Sequence, residues 1–591
     1  MSNLWLQLKT FFQSLQVGLI SVPNLKRRQI PDILENIYKK EFYIFTAALL
    51  IFIFSGGFLL FQAFQFQGSG PRSGGELVEG LVGEPQFINP VLSETSGVDM
   101  DISRLVYGQL LKFDDQEKLT PDLAAALPQI SQDQKTYTLN LKPNLKWQDG
   151  HALNADDILF TIQTIQNGDY QSPLRPNWAR VKVAKVDDLT LTFVLHEVSA
   201  SFASNFALGI LPKHVWAGIS AQNFRLTDYN LKPVGSGPFA VSEIKKTSDG
   251  TIKSVSLRAN DKYYQGRPYL NQITFKFYDG YDSLIGAYQA KDIQSLGVVP
   301  FDQKAFLGTS DRMKANRINL PQYQAVFFNL PKNSTLNEKA VRQALWLATD
   351  RGSIIKDVYL GNAAPAYGPI LEGSLGYNPS IAKSAHTNLE EAAGILNKAG
   401  WILDPATNIR YKNSAKGGSA SGGKKTLEFS LATTSNLVIN VKAAQILQNQ
   451  WAAIGVKVNL IIVNSYDLES QYIRPRAFDA LLFSENVGAD PDPFPFWHSS
   501  QSRDPGLNLS GFTNAEADKL LTEARQTSDP SIRTRDYLRF QEIINDQLPA
   551  LFLVRSLYIY NVPKNLQGIN LTDIIHPSER FLDVNRWYFQ N

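Results

Sequence analysis

Residues 119–162 read LTPDLAAALPQISQDQKTYTLNLKPNLKWQDGHALNADDILFTI, and the order of signals in this stretch decides the fold. Thr136–Leu141 is strand-like, and Trp147-Gln148-Asp149-Gly150-His151 carries an Asp-Gly turn signal. Asn154 can then cap a helix begun by Ala155-Asp156-Asp157, whose carboxylates suit its positive end. Outward from here the same mixture recurs. Leu189–Leu195, Ile273–Phe277 and Val456–Val463 are strand-like; Lys339–Thr349, Leu389–Ala399 and Val441–Ile454 are helical in pattern. Such alternation predicts layered sheets covered by helices, an α/β class, with no internal repeat.

The chain has 591 residues, too many for one ordinary domain, and its 43% apolar content can fill more than one core. With 58 basic and 55 acidic residues interspersed, the net charge is only +3, so no nucleic-acid partner is expected. Cysteine is absent, which removes disulfides, thiolate catalysis, cysteine-ligated zinc and a lipidated N-terminal cysteine. The six histidines (His151, His196, His214, His386, His498, His576) show no pair at helical metal-ligand spacing, so no metal and no cofactor are expected.

Phe42–Phe61 reads FYIFTAALLIFIFSGGFLLF without a charge, which predicts a transmembrane signal-anchor helix over 42–64. Lys26, Arg27, Arg28, Lys39 and Lys40 precede it and a nearly neutral flank follows, placing residues 1–41 in the cytoplasm and the remainder outside. A cleaved signal peptide would begin earlier and end in a small-x-small exit, whereas this run leaves through QAFQFQ. Further upstream, Leu4, Trp5, Leu6, Leu8, Phe11, Phe12, Leu15 and Leu19 fit either one face of an interfacial helix or a weakly structured tail. Residues 65–75 have linker character. Glu76–Val82 then opens the globular part as a strand. Residues 413–425 (NSAKGGSASGGKK) form a low-complexity excursion. Gly418–Lys424 mimics a phosphate-binding loop, but Lys425 replaces the Ser or Thr that would hold magnesium, and a strand-like rather than helical stretch follows.

From Glu76 onward, segments such as ELVEGLVGEPQFINPVL, DMDISRLVYGQLLKFD, ILPKHVW, PVGSGPF, NDKYYQGRPYLNQITFKFY, VRQALWLATDRGSII and RAFDALLFSENVGADPDPFPFWHSSQ occur in a specific order. In them the chain resembles the bacterial extracellular solute-binding proteins of family 5, the peptide/nickel branch of ABC-transporter binding proteins. The resemblance implies a two-lobed, periplasmic-binding-protein-like fold with an extra subdomain in the first lobe. It assigns residues 76–105, 235–318 and 545–591 to lobe I, 106–234 to the extra subdomain and 319–544 to lobe II. It also implies capture of a peptide or similar small solute by hinge closure, and delivery to an ABC permease. No catalysis is implied, and the sequence lacks G-x-S-x-G and H-E-x-x-H. An extracytoplasmic sensor, or an adaptor of a membrane complex, is the alternative role.

The resemblance also points to ligand contacts. In peptide-binding members, the loop matching Glu485–Pro493 carries an aspartate that pairs with the peptide ammonium; here that position is Val487. Glu485, Asp490 or Asp492 either replaces it, or the two aspartates cap a turn before Pro491 and Pro493. Dipeptide-binding members supply an arginine for the ligand carboxylate from a strand like Leu427–Thr433; here the stretch offers Thr433, Thr434, Ser435 and Asn436. Thr95-Ser96-Gly97 matches a loop that faces ligand. Phe494, Phe496 and Trp497 read either as an apolar wall or as core. Gly235, Gly237 and Pro238, within PVGSGPF, read as a structural crossing near the hinge.

Overall fold

The computed structural model describes residues 41, 43–58, 71–298, 312–384, 386–413 and 424–590. Contacts divide the chain into two units, Met1–Gly70 and Pro71–Gln590. In the first, residues 43–58 are helical with exposed apolar side chains such as Phe52 and Phe54. Among the described residues no helix is long and apolar enough to cross a membrane. Residues 1–40, expected to be cytoplasmic, residue 42, residues 59–64 and the glycine-rich excursion 414–423 lie outside the described residues.

The second unit opens with β1 (Glu76–Val82) and α1 (Gly97–Val106). A separate four-stranded antiparallel sheet follows: β2 (Gln129–Ile130), β3 (Thr136–Asn140), β4 (Val181–Lys185) and β5 (Thr190–Leu195), in the order β2-β3-β5-β4. Between β3 and β4 lies α2 (Ala155–Gln166), and its start follows the sequence signals. Asn154 accepts from the Asp156 amide at 2.9 Å, and the Asp157 carboxylate accepts from the Asn154 amide at 3.1 Å. This reciprocal cap satisfies donors that the first helical turn leaves free.

The large sheet is completed by β6 (Phe239–Lys246), β7 (Ile252–Ala259), β8 (Gln272–Tyr278), β9 (Ser295–Leu296), β10 (Met313–Phe328), β11 (Ala363–Pro365), β12 (Glu428–Thr434), β13 (Lys457–Val463), β14 (Ala480–Asn486) and β15 (Ala550–Pro563). The strand order is β13-β12-β14-β10-β15-β9-β1-β8-β7-β6, with β11 against β15. β1 runs parallel to β8 from Glu76↔Gln272 to Val82↔Tyr278, and β12 runs parallel to β13.

β10 and β15 are the longest strands and pass from one core into another. Ile318, Leu320, Tyr558 and Tyr560 share a core with β1, β8 and the four-stranded sheet. Val326, Phe328, Leu551 and Leu553 pack with β12 and with Ala443, Leu447 and Trp451 of the following helix (Val438–Ala452). On the opposite face, Tyr323, Phe327 and Phe552 join Trp497 and two C-terminal helices (Ala515–Arg525, Pro530–Gln547). The change of core coincides with a break in the β10–β15 ladder between Asn319 and Tyr323. Pro321 has no amide to donate there. Other partners take over. Arg555 Nε donates to the Leu320 carbonyl at 3.0 Å, the Val487 amide to the Pro321 carbonyl at 2.8 Å, and Asn319 bonds Thr572 and Ile574.

One ionic cluster is locked inside the first core. Arg580, fully buried, donates to Glu79 Oε1 at 2.6 Å and to Asp101 at 2.7 and 2.6 Å. Tyr560 and Ser295 donate to the other Glu79 oxygen at 2.5 and 3.0 Å. The cluster thereby ties β1, α1, β9, β15 and the C-terminal turn Pro577–Phe581 together.

Candidate ligand-binding site

A cavity of about 1210 Å³ opens between the two sets of elements that share β10 and β15. One wall carries Ser93, Glu94, Arg104, Tyr107, Trp178, His576 and Glu579; the facing wall carries Asn486–Asp490, Asp492, Phe494, Phe496, His498 and Arg525. A volume of this size accepts an extended solute of several residues.

Most of the charges on these walls are already paired. Asp490 is gripped by both terminal nitrogens of Arg533, at 3.0 Å for one of them, and the same guanidinium donates to the Tyr537 hydroxyl at 3.0 Å. Asp492 pairs with Arg525 Nε at 3.2 Å and accepts from the Phe494 amide at 3.2 Å. Burial raises the Asp492 carboxyl above its usual range, with Arg525 opposing. Arg104 donates to Gln109 at 2.5 Å and to Glu579 at 3.2 Å. His576 is pushed down to about 4 by burial, with Arg104 and Arg580 acting in the same direction, so it stays neutral at ordinary pH. Glu94 faces the cavity, and desolvation raises its carboxyl while the nearby Arg104 lowers it. Unlike Asp490 and Asp492, it has no arginine in direct contact among the described residues.

The residues anticipated from sequence divide accordingly. Val487, Asp490, Asp492 and Phe494 line the cavity together. Thr95, Ser96 and Gly97 do not line it, although their neighbours Ser93 and Glu94 do. Ser96 caps α1, accepting from the Asp99 amide at 3.3 Å. Thr433 is fully buried and donates to the Leu482 carbonyl at 3.0 Å. Trp497 is buried against Phe327 and Phe552, with ring centroids 6.1 and 5.8 Å away. Phe494 does face the cavity, stacked on His498 at 4.2 Å with Arg525 over its ring.

Gly235 and Gly237 are held against the end of α1. A Cβ on Gly235 would stand 1.9 Å from the Val106 carbonyl oxygen, and the Gly237 amide donates to that same oxygen at 2.7 Å. Pro238 accepts from the Asn260 amide at 2.8 Å. These contacts are with α1, Gln148 and Asn260, not with β10 or β15. Glu94, which lines the cavity, directly precedes Thr95 and carries no local sequence signal that sets it apart.

Glu485 sits behind the wall, buried, with the Tyr323 hydroxyl donating to it. Burial pushes its carboxyl up to about 8, with Tyr323 opposing. The folded protein therefore holds this proton more tightly than the unfolded chain, so the stability this group contributes is complete below about 4.5 and lost as pH rises through about 8. Glu485→Gln is expected to be about 2–4 kcal/mol more stable than the native chain near pH 9 and close to it near pH 5, as read by denaturant unfolding at both pH values.

Away from the cavity, the structure brings Asp149, His151 and His214 together, with one potential ligand atom from each within 4.8 Å of the others. Sequence spacing could not show this pairing, because His151 and His214 belong to different segments.

The model of bacterial extracellular solute-binding proteins, family 5, matches residues 118–507. The oligopeptide-binding protein AppA of Bacillus subtilis is 30% identical over 524 residues, covering 88% of this chain and 92% of AppA. The structure of AppA in complex with a nonapeptide superposes with a TM-score of 0.67 at 29% identity, covering 88% of this chain and all (100%) of that one. NikZ of Campylobacter jejuni in complex with Ni(L-His) superposes with a TM-score of 0.68 at 25% identity, covering 87% of this chain and 99% of NikZ. The fold of Pro71–Gln590 is thus that of a two-lobed binding protein.

Proposed function

The chain belongs to the bacterial extracellular solute-binding proteins of family 5, which bind solutes rather than transform them, and from that premise we propose that it captures peptides or comparable small solutes and hands them to an ABC permease. The cavity carries this reading, because its two walls are built by elements on opposite sides of the β10–β15 ladder break. Closure about that break brings both walls onto one ligand, and contacts to both stabilise the closed form. In this reading, 76–105, 235–318 and 545–591 form lobe I, 106–234 the extra subdomain and 319–544 lobe II. A contact across the opening supports closure: the Ser528 amide and hydroxyl donate to the Gln134 side chain at 2.8 and 2.9 Å.

The likeness to a nonapeptide-binding relative supports an extended ligand longer than a dipeptide. Asp490 and Asp492 each have an arginine partner, and Val487 offers no charge, so an ammonium terminus would meet Glu94 instead. Thr95, Ser96 and Gly97 contribute as the loop that carries Glu94, and Glu485, Thr433 and Trp497 as the framework behind the second wall. Residues 42–64 anchor the chain by one pass, with the N-terminus cytoplasmic, and keep the binding module at its permease by tethering rather than by a lipid.

Native mass spectrometry of the full chain purified in detergent, together with thermal shift against peptide pools, tests the proposal. A ligand at a hundredfold excess over its Kd is expected to add about 2.7 kcal/mol of stability. A chain that carries no peptide and is stabilised by none would overturn it.

A further inference from the structure

We propose that Asp149, His151 and His214 form a divalent transition-metal site on the surface of the region that carries the four-stranded sheet, separate from the ligand cavity. None of the three lines that cavity. His214 Nε2 lies 2.8 Å from Asp149 Oδ2, and His151 Nδ1 lies 3.2 Å from Asp149 Oδ1. The two imidazoles stack at 4.2 Å with 28° between their planes. Ligands bound at about 2.0–2.1 Å stand about 3.0–3.4 Å apart around one ion; here one ligand atom from each residue lies within 4.8 Å of the others, so side-chain rotation would draw them onto an ion. Two imidazoles and a carboxylate suit Zn²⁺, Ni²⁺, Co²⁺ or Cu²⁺ rather than Ca²⁺ or Mg²⁺, which prefer oxygen throughout. Water would complete the shell at this exposed position.

A second observation concerns how the ligands are held. They come from two segments, the turn Trp147–His151 and the short helix Lys213–Trp216. One buried carboxylate, Asp157, bonds both: its Oδ2 accepts from the Trp147 indole at 3.3 Å, and its Oδ1 from the Lys213 amide at 2.8 Å. The turn is itself closed, with the Trp147 amide donating to the His151 carbonyl and the Gly150 amide to the Trp147 carbonyl, each at 2.9 Å. Gly150 takes a left-handed φ of 99°, which lets Asp149 and His151 stand on the same side of the turn. The His214 ring also rests edge-on against Trp147. Supporting bonds of this kind pre-position ligands before any ion arrives. Lys213, adjacent to His214 in sequence, pairs instead with Asp156 at 3.6 Å.

The test uses the full chain without a histidine tag, stripped with chelator, and titrated with Zn²⁺ or Ni²⁺ alone against a chromophoric competitor. Co²⁺ absorption reads the ligand geometry independently. The native chain is expected to bind one equivalent that His151→Ala and Asp149→Asn weaken by about tenfold or more, with a Co²⁺ spectrum lost in both. His151 is largely exposed, so His151→Ala should melt with the native chain, and a lost equivalent then reports the site and not the fold. An equivalent that survives both substitutions, or no uptake by the native chain, overturns the proposal. Peptide-induced thermal shifts should be unchanged in His151→Ala, so failure here and failure of peptide capture are separate results.

Discussion

Arg580→Met is expected to destabilise the folded module by about 3–5 kcal/mol, because it leaves Glu79 and Asp101 buried without a counter-charge. Burial by itself raises the Asp101 carboxyl; Arg580 is the largest influence that lowers it. Without the guanidinium, one or both acids would have to take up a proton or draw in water, and five elements lose their common tie. Denaturant unfolding of the full chain in detergent, followed by tryptophan fluorescence, reads the change. Glu79→Gln with Asp101→Asn added to Arg580→Met should recover part of the loss, since neutral amides tolerate the dry site better than orphaned charges. An Arg580→Met chain within about 1 kcal/mol of native would refute a net stabilising role for the cluster.

Arg533→Met should cost about 3 kcal/mol and also act on the binding site. Arg533 is itself mostly buried, and its two terminal nitrogens hold Asp490 in place in the cavity wall. Removing them frees a carboxylate next to Val487, where no anion is now available to a ligand. Peptides with a free ammonium should therefore gain affinity relative to N-acetylated ones of the same sequence. Isothermal titration with each peptide form compares the two. Equal affinities for both forms, in native and variant chains alike, would exclude Asp490 from any charge contact with ligand.

Much of the architecture was legible because local signals and tertiary environment agree. The strand expected at Thr136–Leu141 is found at Thr136–Asn140, the one expected at Val456–Val463 at Lys457–Val463, and the Asn154 cap is present with Asp157 as its reciprocal partner. Each depends on residues within a few positions of one another. The site was less legible. Asp490 and Asp492 could be seen as acids in a loop, but Arg533 and Arg525, which pair with them, stand dozens of residues downstream. Ser96 is a ligand candidate through the resemblance of its loop, and the fold adds that its oxygen accepts from the Asp99 amide as the cap of α1. Thr433 stands in a stretch that departs from the dipeptide-binding pattern, and from a strand inside the sheet its hydroxyl donates to the Leu482 carbonyl, a partner far along the chain. Histidines 151 and 214 looked scattered because helical spacing tests only one element at a time.

Segment 572–579 does two things at once. Through Thr572 and Ile574 it supplies the backbone partners of Asn319, where β10 leaves its ladder with β15. Through Ile575, His576, Ser578 and Glu579 it forms part of the cavity wall. Arg555 fastens the two together, reaching both the Leu320 carbonyl and, at 3.3 Å, the Asp573 carboxylate. In mechanical terms, the cavity wall and the ladder break are joined in series through one short linkage. In the proposed closure, a load placed on His576 or Glu579 by a solute would be borne next to the ladder break, with no longer lever between them.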